Sequence, residues 1–80
     1  MKINVLFFAG LKEIFGRSRF IEVEEGSTIE EVMDLLESES GQSCSKKDFL
    51  VYAVNENFET SKKKLKNDDE LALMTPMSGG

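Results

Sequence analysis

Eighty residues with a formal net charge of −5 at pH 7 make one domain, near the lower size at which a single apolar core holds without cross-links. A hydrophobic fraction of 40% with six phenylalanines supplies that core, and no apolar run reaches the length of a membrane span. The acidic balance argues against nucleic acid, whose binding needs a basic face, and the absence of histidine beside a lone cysteine, Cys44, excludes an internal disulfide and leaves no zinc or haem ligand set. No metal and no bound cofactor is expected.

The chain opens "MKINVLFFAG". Its apolar stretch is short, follows a single lysine and alternates with polar residues, which reads as a strand rather than a signal peptide and points to the cytoplasm. Residues 2–8 set Ile3, Val5 and Phe7 against Asn4, Leu6 and Phe8, a period-two strand with both faces partly apolar, as in the middle of a covered sheet. Gly10 and Gly16 bracket Leu11, Ile14 and Phe15 in a connection with about one helical turn. A second strand is expected over 19–24, with Ile21 and Val23 on one face and Glu22 and Glu24 on the other, ending at Gly26.

The clearest local signal is a helix from about 28 to 39. Ser27 followed by Glu30 has the capping-box spacing. Ile29, Val32, Met33 and Leu36 then fall on one apolar stripe, with Glu30, Glu31, Asp34 and Glu37 facing water. The two glutamates of the first turn also suit the positive end of the helix dipole. "SESGQSCSKKD" reads as a mobile loop, and Cys44 within it as an exposed thiol, although the neighbouring lysines favour its thiolate. Strand character returns with "FLVYAV", then the turn "NEN", a short stretch at 58–60, a solvated lysine turn through Lys62, Lys63, Lys64 and Lys66, and a last strand "ELALM". The dense acidic residues from Glu22 to Glu39 suit either a solvated helix face or a basic partner surface.

The order strand, strand, helix, strand, short strand, strand fits an α+β fold, one mixed sheet with a single main helix across one face. The near-continuous apolar character of the first and last strands places them side by side at the sheet centre, the β-grasp arrangement. The expected division is a domain over 1–75 and a flexible tail over 76–80. Nothing in the sequence assembles a catalytic site. Without histidine a serine or cysteine triad lacks its usual base, the carboxylates are scattered, and neither a Walker pattern nor GxGxxG is present.

The chain ends "LALMTPMSGG". Gly79 and Gly80 carry no side chains, so any chemistry at that end belongs to backbone and carboxylate. Three stretches, "VLFFAGLKEIFG", "YAVNENF" and "DDELALMTPMSGG", together with the length and element order, resemble the small sulfur-carrying subunits of molybdopterin synthase, a ubiquitin-like β-grasp family. The likeness covers nearly the whole chain. It departs at Thr75-Pro76, where the family often has two prolines, and at Asn67-Asp68-Asp69, where it often has a glycine.

The resemblance implies that the chain is no enzyme on its own and that the carboxylate of Gly80 carries the chemistry. An activating enzyme related to the ubiquitin E1 adenylyltransferases would use ATP to adenylate it, and sulfur from a persulfide would displace AMP to leave a thiocarboxylate. The large catalytic subunit of the synthase would then receive the tail and pass the sulfur to cyclic pyranopterin monophosphate in molybdenum cofactor biosynthesis. Five extended residues from Pro76 to Gly80 reach on the order of 16–18 Å. The glycines allow close backbone approach, Pro76 stiffens the base of the tail, and Ser78 lies between. Phe8, Leu73, Met74 and Met77 are the candidate partner contacts, since docking needs a desolvated apolar centre. Phe8 and Leu73 suit the core equally well, while Met77 lies beyond the last strand and has a flexible thioether suited to two partners. The same ending would also serve a sulfur carrier for thiamin thiazole synthesis or a ubiquitin-like modifier joined to lysines, and a plain interaction domain with incidental glycines is the remaining alternative.

Overall fold

The computed structural model describes residues 1–8, 10–41 and 50–74. Along the chain run β1 (Lys2–Phe7), α1 (Gly10–Phe15), β2 (Ser18–Glu22), α2 (Ile29–Ser40), β3 (Val51–Val54), β4 (Asn57–Glu59) and β5 (Glu70–Met74). The five strands form one sheet in the order β2-β1-β5-β3-β4. β1 and β5 are parallel neighbours, with Val5 opposite Leu71 and Phe7 opposite Leu73, and the other pairs are antiparallel. This is the mixed β-grasp sheet that the apolar character of the first and last strands predicts.

Alternation along the strands decides which side is covered. Ile3, Val5 and Phe7 of β1, Ile21 of β2, and Leu71 and Leu73 of β5 join Ile29, Val32, Met33 and Leu36 of α2 in the core. All four stripe residues of α2 are fully buried. Burial of each such side chain contributes about 1.5–3 kcal/mol, which holds the helix on the sheet more firmly than helix propensity does.

The start of α2 differs by one residue from the expected capping box. Thr28, in extended backbone at φ −91 and ψ 167, is the N-cap; its hydroxyl accepts the Glu31 amide and the Glu31 carboxylate accepts the Thr28 amide at 3.0 Å. Ser27 is occupied elsewhere, its hydroxyl donating to the Glu24 carbonyl at 2.7 Å. The amides of Ile29 and Glu30 donate to the carbonyls of Lys63 and Ser61, so the loop before β5 closes the helix N-terminus. At the other end Gly41, at φ 71, donates to the Glu37 carbonyl. A left-handed cap of this kind favours glycine.

α1 is a six-residue helix, longer than the single turn the flanking glycines suggest. Leu11 is buried, and Phe15 stacks on Phe7 with ring centroids 5.1 Å apart. Cys44 and the stretch from Gln42 to Phe49 lie outside the described residues.

Candidate functional site

Because β1 and β5 are parallel, both leave the sheet at the same rim. The Phe8 amide donates to the Leu73 carbonyl at 3.1 Å, one rung beyond the last strand pair, and the Phe8 carbonyl accepts from Leu11 as the chain turns into α1. Met74, the final residue of β5, lies opposite Val51 of β3. The chain therefore runs toward its last residues from the central strand of the sheet, gripped on both sides up to Met74.

The face of the sheet away from α2 has an apolar stripe. One cross-strand row is Leu6 of β1, Ala72 of β5, Ala53 of β3 and Phe58 of β4; the next, nearer the rim, holds Met74 and Val51 with Phe8 beside them. Phe8 is 44% exposed and Phe58 78% exposed, while the two alanines between the larger side chains make the centre of the stripe shallow. A third aromatic, Phe20 on β2, is 64% exposed, with the Lys2 ammonium 4.6 Å from its ring centroid. That cation shields part of the ring from water.

The expected contact residues separate cleanly. Phe8 is exposed and Met74 half-buried on the open face. Leu73 is a correction: it points to the helix side, has no exposed surface and belongs to the core. Its neighbours Phe8 and Met74 have the opposite parity along adjoining strands, which is why they surface and it does not. Pro76, Met77, Ser78, Gly79 and Gly80 lie outside the described residues.

Residue-by-residue reading passed over Phe58, Phe20, Ala53 and Ala72. The signal for Phe20 was present, since Ile21 and Val23 on the core face place Phe20 with Glu22 on the other. Phe58 sits in a three-residue strand too short to show a period. Among the described residues no cluster of three His, Cys, Asp or Glu side chains is arranged to hold a metal ion, and no helix is long and apolar enough to cross a membrane.

The profile of the ThiS family matches residues 5–80. The chain belongs to the ThiS family. The molybdopterin synthase sulfur carrier subunit of Drosophila melanogaster is 36% identical over 84 residues, an alignment covering 100% of this chain and 92% of the fly protein. Solved structures bear on the fold. SAMP1 from Haloferax volcanii superposes with a TM-score of 0.79 at 23% identity, over 100% of both chains. A chain from the complex of subunits 1 and 2 of the molybdopterin-converting factor of Helicobacter pylori superposes with a TM-score of 0.67 at 23% identity, also over 100% of both chains. The ThiS match takes in both the sheet rim described above and the final glycines.

Proposed function

We propose that this ThiS-family chain is the sulfur-carrier subunit of a molybdopterin synthase, made of a domain through Thr75 and a delivery arm from Pro76 to Gly80. The observation that carries the reading is that the residues leading to Gly79 and Gly80 issue from the central strand of the sheet, beside an exposed apolar face. The full-length similarity to the fly sulfur carrier subunit supports the choice of pathway.

A carboxylate is a poor electrophile, and activation supplies the leaving group. An oxygen of the Gly80 carboxylate attacks the α-phosphorus of ATP on an E1-like adenylyltransferase and pyrophosphate departs. The terminal sulfur of a persulfide then adds to the acyl carbon, AMP leaves, and a thiol cleaves the resulting acyl disulfide to free the thiocarboxylate. In the large subunit's pocket that sulfur bonds to a carbon of the pterin precursor, water then cleaves the acyl–sulfur bond to return the Gly80 carboxylate and leave the sulfur on the pterin, and two deliveries complete the dithiolene. The protein's own contribution is positional. The arm reaches on the order of 16–18 Å from the rim, its glycines pass a narrow channel, and Phe8, Met74 and Met77 together with the open-face stripe seat the domain against the partner.

Intact-mass measurement after incubation with an activating enzyme, ATP and a sulfur source tests the reading. The expected result is a gain equal to replacement of one oxygen by sulfur, followed by its loss when large subunit and pterin precursor are added. No gain, or the appearance of lysine adducts instead, would overturn it. Discharge only to a thiazole-forming acceptor would assign the other carrier pathway.

A further inference from the structure

On the helix side of the sheet, the β3–β4 hairpin lies against the loop that precedes β5, with the Asn55 amide donating to the Glu70 carbonyl at 2.9 Å. Between them is a cleft of about 160 Å³ lined by Val54, Asn55, Asn57, Glu59, Asp69 and the lysines 63, 64 and 66. Its two carboxylates are already engaged. Asp69, nearly buried, accepts from the Asn55 side-chain amide at 2.9 Å and from the Lys66 backbone amide at 2.7 Å. Glu59 lies 3.9 Å from the Lys63 ammonium. Among the described residues the ammonium groups of Lys64 and Lys66 meet no counter-charge. In a chain of net charge −5, the cleft sets three lysines against two carboxylates, both of them already engaged.

The second observation is independent of charge. β4 is an edge strand, paired only with β3, and among the described residues the backbone groups on its outer side make no hydrogen bond. Its side chains divide by parity: Asn57 and Glu59 line the cleft, while Phe58 stands 78% exposed on the opposite face beside Ala53. A strand added along β4 would sit about 4.8 Å away and send alternate side chains to the two faces.

We propose that β4 is a docking edge for an extended segment of a partner protein in which acidic and apolar residues alternate. The backbone ladder supplies attachment, carboxylates on one side meet Lys64 and Lys66, and apolar side chains on the other cover Phe58. Charge complementarity selects the acidic segment over a basic one. The segment would cover Phe58, which also belongs to the open-face stripe, but its test uses no thiocarboxylate and can fail independently of the sulfur-carrier reading.

The probe is a capped hexapeptide alternating glutamate and valine, titrated into the isotopically labelled full chain and followed by amide chemical shifts and hydrogen exchange. Shifts are expected at residues 57–59 and 63–66, with new exchange protection in β4 and affinity that falls as salt rises. Exposed charge reversals, Lys64→Glu with Lys66→Glu, should weaken binding roughly tenfold while leaving the unfolding midpoint in place, and Phe58→Ser should weaken it separately. Three results would each overturn the proposal. These are equal binding of a lysine–valine peptide, shifts centred on Leu6, Ala72 and Met74, and shifts at the lysines by inorganic phosphate alone with no peptide-induced protection of β4. No binding at all would leave the lysines as guards against edge-to-edge aggregation and would equally refute it.

Discussion

The amide of Phe8 donates to the carbonyl of Leu73 at 3.1 Å, although the two side chains serve opposite purposes. Leu73 is wholly buried under α2 and Phe8 is exposed on the other face. One backbone rung thus joins the core of the domain to the surface from which its last residues depart, and substitutions on its two sides should have different consequences.

Leu73→Ala removes a fully enclosed side chain and leaves a cavity between the sheet and α2. A loss of about 2–5 kcal/mol is expected in denaturant unfolding. Any loss of sulfur delivery in this variant should track the unfolded fraction.

Phe8→Ala should do the reverse. Stability should change by less than about 1 kcal/mol because the ring is already partly in water, whereas affinity for the large subunit should fall by about 1–2 kcal/mol. Calorimetric titration beside thermal unfolding separates the two effects.

Extending the chain by one residue beyond Gly80, or deleting Gly80, should abolish sulfur transfer with the unfolding midpoint unchanged. The reacting carboxylate would be displaced by about one residue length, 3.3–3.6 Å, a misplacement large against the tolerance of a positioned reaction. A fully active extended variant would refute the delivery-arm reading.

The hairpin between β3 and β4 turns on two residues at positive φ, Asn55 at 50° and Glu56 at 71°. A two-residue loop of this kind is ordinarily built from Asn-Gly. Glu56→Gly should therefore raise stability by roughly 0.5–1 kcal/mol, the relief of left-handed strain exceeding the added freedom of the unfolded chain. Asn55→Ala should lower it by about 2–3 kcal/mol, since the Asn55 side chain donates to Asp69 and accepts the Glu70 amide at 3.0 Å.

Thr28→Ala should cost about 1 kcal/mol by opening the capping box at α2. The sequence alone does not decide between the two frames. Ser27 with Glu30 and Thr28 with Glu31 have the same spacing. The choice depends on Ser27 turning back to Glu24 and on loop carbonyls from Lys63 and Ser61 arriving at the first two helical amides. Such long-range partners leave no mark in a local window. The stripe on α2 and the pairing of first and last strands were legible because apolar spacing is itself the cause of that packing. By composition Leu73 suits core and surface alike, and it is its shared parity with Leu71 on β5 that turns it inward. The length of α1 was hidden by its flanking glycines, and the prominence of Phe58 by the shortness of β4. The delivery arm is proposed on resemblance alone, because two glycines have no side chains from which to argue.

The parallel pairing of β1 with β5 also has a kinetic meaning. The two strands at the sheet centre are nearly the full length of the described chain apart, so the rim at Met74 exists only after the most distant segments have met. Contacts of such long range slow folding, because loop-closure entropy is lost before they form. On the sulfur-carrier reading, an incompletely folded chain would lack the fixed rim from which its last residues continue.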